Sequence, residues 1–262
     1  MGSYMRLKNL VKEFLMLSPP LWLRARAWWR KLADKEEAEM AVLRYLVPRD
    51  RCAIDVGANH GIYTHKLLGI AAQVVAVEPN PIYVKELTRI FGSSIRLIPA
   101  ALSDSEGVTE LVVPTGPGID ASLGTIEKQN SLAVYDCMRV HVPMCRLDDL
   151  SIDNVGFIKI DVEGHEESVV IGAEQTIRRW RPILLIEAEN RHRDGAVEKL
   201  TRRLESLGYN GIFLDDGVFK PISSFDPQKH QSERGIAELI RGNSPSVPYR
   251  NNFIFIPCIV PG

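Results

Sequence analysis

Short apolar runs alternate with amphipathic stretches along most of this chain. The apolar runs have the length of β-strands and lie at residues 52–56, 74–78, 95–98, 157–161, 183–187, 209–214 and 252–256. Between them, apolar residues recur at helical spacing, most clearly over 197–207, where Gly208 ends the stripe. Strands separated by helices predict a doubly wound, mostly parallel α/β sheet, with an antiparallel closing strand where the last two runs pair.

Residues that start and stop helices set the limits of several further elements. Asn80 is expected to cap a helix that has Pro81 at its first position, and Gly92 is expected to end it. A second helix is predicted over 169–180 from its apolar spacing. Shorter predicted elements are a helix at 63–68, strands at 108–113 and 139–142, and a helical turn at 147–150.

The alternating pattern begins near residue 48 and divides the chain into two parts. Residues 1–47 are predicted to be a helical N-terminal extension, and residues 48–262 one Rossmann-like α/β domain. Two patternless segments interrupt that domain, at 114–136 and 217–250. Long loops in a compact domain are usually functional, and ligands bind beyond the carboxyl ends of parallel strands. Both segments are therefore expected to lie on the substrate side.

Residues 6–32 combine seven basic residues and one acidic residue with leucines and three tryptophans. Pro19 and Pro20 divide this segment into two short helices. A basic amphipathic segment either lies on an anionic membrane surface or packs its tryptophans against the core or a second subunit. Packing is the favoured interpretation and makes the segment a candidate homodimer contact, with peripheral membrane contact as the alternative.

The composition is that of a soluble globular protein, with 45% hydrophobic and 25% charged residues among 262 and a net charge of −1. The near-neutral charge argues against binding nucleic acid through bulk charge, so no nucleic-acid partner is expected. Four cysteines lack a CxxC pair and are expected to be reduced thiols. No apolar run is long enough to cross a membrane, so a cytoplasmic location is expected, with any contact at the inner membrane face made peripherally.

The stretch 54–61 predicts a strand, a tight turn and the start of a helix. Gly57, Asn59 and Gly61 mark the turn, where glycine lets the backbone approach a ligand closely. Acidic residues lie at or near the ends of four predicted strands: Asp55, Glu78, Asp161 and Glu187. Carboxylates are rarely buried unpaired, so four at the ligand-binding edge of a sheet indicate a polyhydroxylated or cationic ligand.

The spacing of the turn and the next acidic residue points to an adenosine ligand. Glu78 follows Gly57 by 21 residues, the spacing at which an acidic residue reaches the ribose in dinucleotide-binding folds. Asn59, however, occupies the position of the glycine that admits a pyrophosphate, and no G-x-x-x-x-G-K-[ST] loop occurs. S-adenosylmethionine, an adenosine without a diphosphate and with a sulfonium cation, fits both observations. The alternatives are a nicotinamide-dependent oxidoreductase, which Asn59 disfavours, and a non-enzymatic membrane-surface module.

Five segments, in this order along the chain, resemble the FkbM-type methyltransferase family. They are residues 55–61, 77–80, 100–104, 147–150 and 159–166, the last of which reads Lys-Ile-Asp-Val-Glu-Gly-His-Glu. The resemblance covers roughly residues 50–190, and 252–255 is similar to the family's closing strand. It implies a class I, S-adenosylmethionine-dependent methyltransferase fold. It also implies O-methylation of a hydroxyl on a sugar, glycoside or related natural product.

The resemblance implies a set of cofactor contacts. The methionine end of S-adenosylmethionine would be held by residues of the glycine turn: Asp55, Gly57, Asn59 and Gly61. The ribose hydroxyls would be bound after the second strand by Glu78, with Asn80 nearby. The adenine would be bordered by three residues after the third strand: Ala101, Leu102 and Ser103. Asp161, at the end of the fourth strand, lies where cofactor and acceptor would meet.

A sugar hydroxyl is a poor nucleophile until its proton is removed, and a general base contributes typically about 10²–10⁴-fold to the rate. The candidate catalytic residues follow the fourth strand: Asp161, Glu163 and His165. Asp161, Glu163 and Glu187 could also hold a divalent metal through oxygen ligands, but nothing in their spacing demands one and no metal is assigned. The identity of the acceptor is left open, because the patternless segments are expected to build its pocket.

Overall fold

The computed structural model describes residues 38–115, 124–127, 136–240 and 247–258. The predicted basic segment 6–32 and most of the predicted loop 114–136 lie outside these residues. Two short turns of helix, Ala38–Ala41 (3₁₀) and Leu43–Leu46 (α1), are the part of the N-terminal extension that is described. The predictions of a membrane or dimer contact through the extension therefore stay predictions.

The described residues form eleven β-strands in two sheets. The strands are β1 Cys52–Val56, β2 Gln73–Val77, β3 Arg96–Ile98, β4 Ala101–Leu102, β5 Gly107–Thr115, β6 Asp136–Cys145, β7 Val155–Ile160, β8 Ile183–Glu187, β9 Tyr209–Asp215, β10 Val218–Pro221 and β11 Asn252–Pro257. The central sheet has eight strands in the order β10-β9-β11-β8-β7-β1-β2-β3. Strands β3, β2, β1, β7 and β8 pair in parallel, and β11 is antiparallel to both β8 and β9. The predicted doubly wound sheet with an antiparallel closing strand is confirmed.

The two strands predicted near 108–113 and 139–142 are confirmed, but they belong to a separate sheet. In it β6 pairs antiparallel with the whole of β5 and in parallel with the two residues of β4. The first and last pairs of the long ladder are Gly107 with Met144 and Thr115 with Asp136. This small sheet places the segment 124–127, which follows β5, above the edge of the central sheet.

Helices connect the parallel strands. They are α2 Ile62–Leu68, α3 Pro81–Phe91, α4 Glu166–Gly172, α5 Glu174–Trp180, α6 Ala196–Ser206, α7 Pro227–His230 and α8 Glu233–Ile240, with 3₁₀ turns at Gly92–Ser94, Leu147–Leu150 and Ile222–Ser224. The cap predicted at Asn80 is confirmed, since its side chain accepts a hydrogen bond from the Ile82 N–H at 3.0 Å. No helix among the described residues is long and apolar enough to cross a membrane.

The single helix predicted over 169–180 is wrong, because the chain breaks it into α4 and α5 at Gly172 and Ala173. A neighbouring segment packs closely against the break. A Cβ atom on Gly172 would lie 1.9 Å from the carbonyl oxygen of Ser103, so the end of α4 is pressed against the chain that follows β4. Apolar residues keep their helical spacing across the break, so the spacing alone does not reveal where α4 ends.

The excursion predicted at 217–250 is also more ordered than its polar composition suggests. It contains β10, which forms a hairpin with β9, and the helices α7 and α8. The buried side chain of Gln231 joins it to the central sheet, because its amide nitrogen donates to the carbonyls of Ala188 at 2.7 Å and Arg250 at 3.0 Å. Its amide oxygen accepts from the Asn190 N–H at 2.9 Å. The excursion is thus attached to the chain that follows β8.

The hydrophobic core lies on both faces of the central sheet. Ile54 of β1 packs into the cluster under α4, α5 and α6, whereas Ala53 packs into the cluster under α1 and α2. Both residues have no exposed surface. Because β1, β2, β7 and β8 are parallel, their carboxyl ends meet at one edge of the sheet, and the loops that follow them face one another there.

Replacement of Gly172 by alanine tests the contact that ends α4. We expect Gly172→Ala to lower the free energy of unfolding by about 1–3 kcal/mol, because one added methyl group must displace the Ser103 carbonyl. Gly69→Ala is the matched control, since Gly69 lies at the end of α2 and its added Cβ would meet no atom closer than 3.4 Å. Urea denaturation measures both variants. Equal stability losses would contradict the contact.

Candidate active site

A cavity of about 240 Å³ opens at the carboxyl ends of β1, β2, β7 and β8. Three of the four acidic strand ends predicted from the sequence line it together: Glu78, Asp161 and Glu187. Other predicted site residues in its wall are Gly57, Asn59, Asn80, Ala101, Leu102, Glu163 and His165. The acidic residues thus lie along one edge of the sheet, as the strand pattern predicts.

The turn after β1 is fixed by its neighbours on both sides. The N–H groups of Gly57 and Ala58 both donate to the carbonyl of Val77, at 2.9 and 3.1 Å. On the other side a Cβ atom on Gly57 would lie 1.9 Å from the Asp161 carbonyl oxygen, and Gly57 has a φ of +77°. Glycine is therefore required here for close approach as well as for backbone conformation.

Glu78 joins the glycine turn to the start of α3. One of its carboxylate oxygens accepts from the Asn59 N–H at 2.8 Å, and the other accepts from the Asn80 N–H at 2.7 Å. The residue is only 5% exposed, and burial raises the pKa of its carboxyl to about 7 against the lowering effect of the two N–H donors. Each carboxylate oxygen has a second lone pair. Glu78 can therefore hold the loops and still accept hydrogen bonds from hydroxyl groups.

Two asparagine side chains beside Glu78 keep buried polar atoms without a protein partner. The Asn59 amide oxygen and the Asn80 amide nitrogen both lack a hydrogen bond within the described residues, although both residues line the cavity. Buried polar groups are nearly always hydrogen-bonded, because an unmade bond costs about 1–3 kcal/mol. This end of the cavity is therefore suited to a polar ligand that supplies the missing partners.

Two residues expected to contact a cofactor, Asp55 and Gly61, do not line the cavity. Asp55 is completely buried below it and accepts a hydrogen bond from the Thr64 hydroxyl at 2.6 Å, and burial raises the pKa of its carboxyl. Gly61 has a φ of +80° at the start of α2, and a Cβ there would lie 2.6 Å from the ring of Phe91. Both residues shape the turn from the core side.

A buried lysine holds the aspartate at the end of β7. The Lys159 ammonium donates to one carboxylate oxygen of Asp161 at 2.8 Å and lies 4.8 Å from the ring centroid of Tyr63. The Lys159 side chain is 4% exposed and that of Asp161 is 30% exposed, so the carboxylate faces the cavity while its partner lies beneath it. The sequence assigns Lys159 no role, although it belongs to the family motif, because a lysine within a strand gives no sign that it points inward.

The side chains after β7 divide between two sets of partners. Glu163 has a φ of +52° and pairs with the His192 Nε2 atom at 3.0 Å, and burial raises the pKa of its carboxyl. His165 has Ser103 Oγ 2.9 Å from Nε2 and Glu127 Oε2 3.2 Å from Nδ1. Ser103, expected beside the adenine, is buried behind the cavity wall instead.

Several wall residues were not predicted individually as site residues. They are Tyr83 of α3, Leu111 of β5, and Gly124 and Ile126 of the segment between β5 and β6. Tyr83 belongs to an apolar helical stripe, which by itself indicates a core residue. The segment 124–127 belongs to the long loop that the sequence predicts on the substrate side, and that position stays a prediction.

No group of three His, Cys, Asp or Glu side chains among the described residues is arranged to hold a metal ion. Glu187, one of the three residues considered for a metal, accepts a hydrogen bond from the Asn251 amide at 2.5 Å. Glu189, which follows it, is buried and bonded to Arg191 and to the Tyr249 hydroxyl. These carboxylates are occupied by side chains of the described chain.

The family model described as the methyltransferase FkbM domain matches residues 55–210. The 2-O-methyltransferase NoeI of Sinorhizobium fredii (strain NBRC 101917 / NGR234) is 26% identical over 194 residues, which make up 68% of this chain and 80% of that protein. The crystal structure of methyltransferase FkbM from Methylobacillus flagellatus KT aligns over 79% of this chain with a TM-score of 0.50 and 19% identity. This chain spans 43% of that protein's length, and the likeness shows the fold alone. The predicted class I methyltransferase fold is thereby confirmed.

Gly57 and Gly217 offer a matched test of the close approach at the cavity. Their φ angles are +77° and +78°, but a Cβ on Gly217 would meet nothing within 4 Å. Alanine at either position carries the same backbone cost. We expect Gly57→Ala to lose about 1–3 kcal/mol more stability than Gly217→Ala, because it must also push the Asp161 carbonyl away. Chemical denaturation measures the difference, and a difference of zero would contradict the predicted clash.

The buried carboxyl of Glu78 predicts a pH dependence of stability. Its pKa is raised from 4.5 to about 7 in the folded protein, so the folded state binds more protons than the unfolded state between those values. This contribution to stability is complete below the unfolded pKa and is lost as pH rises through the folded one, with a slope of at most about 1.4 kcal/mol per pH unit. Denaturation at several pH values should show a shallower decline in Glu78→Gln. A parallel decline in both proteins would disprove the raised pKa.

Proposed function

Because this chain belongs to the FkbM methyltransferase family, we propose that it transfers the methyl group of S-adenosylmethionine to a hydroxyl of a sugar, glycoside or related natural product. Methyl transfer is the activity of the family, whereas the donor, the hydroxyl and the acceptor class are the proposal. The name of the relative NoeI, a 2-O-methyltransferase, supports oxygen as the atom that receives the methyl group.

The observation that carries the choice of donor is the Glu78 carboxylate, held by two loop N–H groups at the cavity wall. We assign it to the ribose hydroxyls, with the unpaired amide atoms of Asn59 and Asn80 beside it. Ala101 and Leu102 provide the apolar wall for the adenine. A ligand bound there would meet the polar groups that the protein leaves without partners.

The methionine end is assigned to the turn at Gly57 and to the exposed oxygen of Asp161. When bound, S-adenosylmethionine supplies a methyl group on a cationic sulfur that becomes neutral on transfer. Acidic side chains in the cavity wall favour a cationic ligand, since clefts lined by one sign of charge concentrate the opposite sign. Lys159 balances part of this charge from below and keeps Asp161 in one orientation.

The acceptor is assigned to the side of the cavity formed by Asp161, Glu163 and His165, where the segment 124–127 adds a wall. These side chains orient the hydroxyl for in-line attack and provide a base for its proton. A nicotinamide-dependent oxidoreductase is not favoured, because Asn59 lies where a pyrophosphate would need glycine. A cytoplasmic location and a homodimer stay predictions.

Isothermal titration calorimetry of the full chain tests the donor. We expect S-adenosylmethionine to bind with a micromolar dissociation constant, S-adenosylhomocysteine to compete, and NADH to give no heat. At a pH above about 7, where the Glu78 carboxyl is ionised, Glu78→Gln should weaken binding about tenfold or more, because a hydrogen bond to a charged group contributes about 1.5–3 kcal/mol. Glu110→Gln is the control, since Glu110 pairs with Arg139 on the surface.

Methyl transfer is then measured with tritiated donor and a set of methyl glycosides, and the methylated position is located by NMR. We expect the tritiated methyl group to be attached to an oxygen atom of the glycoside. Absence of any binding of S-adenosylmethionine would overturn the donor. Binding with label recovered on nitrogen or carbon would overturn the hydroxyl acceptor.

A further inference from the structure

His165 is held between two residues from distant parts of the chain. It precedes α4, its side chain is 14% exposed, and it lines the cavity. Glu127, from the segment between β5 and β6, lies 3.2 Å from Nδ1, and the Ser103 hydroxyl lies 2.9 Å from Nε2. The arrangement carboxylate, imidazole, hydroxyl is the one that makes an imidazole a general base.

The partners assign the tautomer of the ring. An ionised carboxylate only accepts hydrogen bonds, so the contact with Glu127 places a hydrogen on Nδ1. In the neutral ring Nε2 then carries a lone pair, which accepts from the Ser103 hydroxyl. The basic nitrogen is therefore the one that does not face Glu127.

Ser103 can release that nitrogen without losing its own hydrogen bond. Its hydroxyl has a second acceptor, Asp104 Oδ1, at 3.2 Å. When Nε2 is protonated, the ring can donate to the Ser103 oxygen while the Ser103 hydrogen turns to Asp104. Both protonation states of the imidazole thus have partners at both nitrogens.

Glu127 is itself fixed in place. The neighbouring Thr125 exchanges two backbone hydrogen bonds with Val112 of β5, at 2.9 and 3.0 Å. Its hydroxyl donates to the Glu163 carbonyl at 2.8 Å and accepts from the Glu127 N–H at 3.0 Å. The backbone of Glu127 is thus linked, through Thr125, both to the small sheet and to the loop that carries His165.

The other two candidate bases have partners of a different kind. One oxygen of Asp161 is held by the buried Lys159 ammonium, and Glu163 is paired with His192. These contacts direct a positive or hydrogen-donating group at each carboxylate, whereas Glu127 directs a negative group at the imidazole. Of the three, only His165 presents one ring nitrogen to a carboxylate and the other to a hydroxyl.

We propose that His165 is the general base of this methyltransferase and that Glu127 is its positioning residue. The proposal rests on the proposed function. The acceptor hydroxyl approaches from the cavity that His165 lines, and the imidazole turns Nε2 from the buried Ser103 hydroxyl toward it. Its O–H bond breaks as its oxygen bonds to the methyl carbon, the carbon–sulfur bond breaks with its electron pair left on sulfur, and the proton goes to Nε2.

Other titratable groups around His165 are Asp104 behind Ser103, Glu163 and Glu166 beside it in the chain, and Asp161 in the same cavity wall.

The tautomer is measured by long-range ¹H–¹⁵N correlation on the full chain with labelled histidine. The chain has six histidines, and His165→Gln identifies the signal of His165. We expect the neutral ring to carry its hydrogen on Nδ1, and Glu127→Ala to move it toward the Nε2–H form common in free histidine. Glu127→Gln retains an acceptor oxygen and should restore the Nδ1–H form. A ring that carries its hydrogen on Nε2 in the unaltered protein would overturn the proposal.

Kinetics separate the base from its positioning residue. His165→Gln should lower kcat by about 10²–10⁴-fold with unchanged affinity for S-adenosylmethionine. Glu127→Ala and Glu127→Gln should lower kcat at least about tenfold, because neither stabilises the imidazolium, and should flatten the pH dependence of kcat. Glu86→Ala is the matched control, since Glu86 makes the same 3.2 Å contact to Nδ1 of His60 outside the cavity wall. It should leave kcat and the His165 tautomer unchanged.

The outcomes distinguish this proposal from the proposed function. No binding of S-adenosylmethionine by the unaltered chain means that the proposed donor is wrong. Binding and methyl transfer with an undiminished kcat in His165→Gln or Glu127→Ala would overturn the base and its positioning residue alone. Should no methyl glycoside accept the methyl group, the acceptor class is wrong, and the tautomer measurement still decides the role of Glu127.

Discussion

The close approach of the chain after β1 to the chain after β7 is the constraint on which the rest of the site depends. With 1.9 Å between the position of a Cβ on Gly57 and the Asp161 carbonyl, only glycine permits the two strand ends to meet. That meeting brings the acidic end of β7 beside the turn that Glu78 holds from β2. The cavity follows from it, since its walls are the loops that this contact aligns.

Buried polar groups then determine what each side of the cavity can do. Toward β2 the carboxylate of Glu78 accepts hydrogen bonds from two backbone N–H groups. Beside it, one amide atom each of Asn59 and Asn80 has no partner among the described residues. This side therefore suits a ligand rich in hydroxyl and amino groups. Toward β8 the charged side chains are paired with one another, as Glu163 is with His192. The first side is complementary to a polar ligand, whereas the second holds its charged side chains in pairs.

The fold could be predicted largely from the sequence, because period-two and period-3.6 patterns report burial directly. The same patterns failed at Gly172, where apolar spacing continues across the break between the two helices, next to a close contact with the Ser103 carbonyl. In the site, the acidic strand ends were found because a carboxylate after an apolar run is unusual. The family resemblance implies a cofactor contact for Asp55 as well, yet Asp55 lies buried beneath the cavity, because the position of a residue along a strand does not tell its depth. Glu127 lies in a segment without a period, and only the fold shows which histidine it meets.

The segment 124–127 both lines the cavity and contacts His165. Gly124 and Ile126 form part of the cavity wall, and Glu127, the next residue, contacts the His165 imidazole in the same wall. Under the proposed function, acceptor selectivity and turnover therefore depend on the same few residues. An exchange of this segment between relatives, made to admit a bulkier acceptor, would also exchange the carboxylate behind the histidine, so a new preference would come with a new rate.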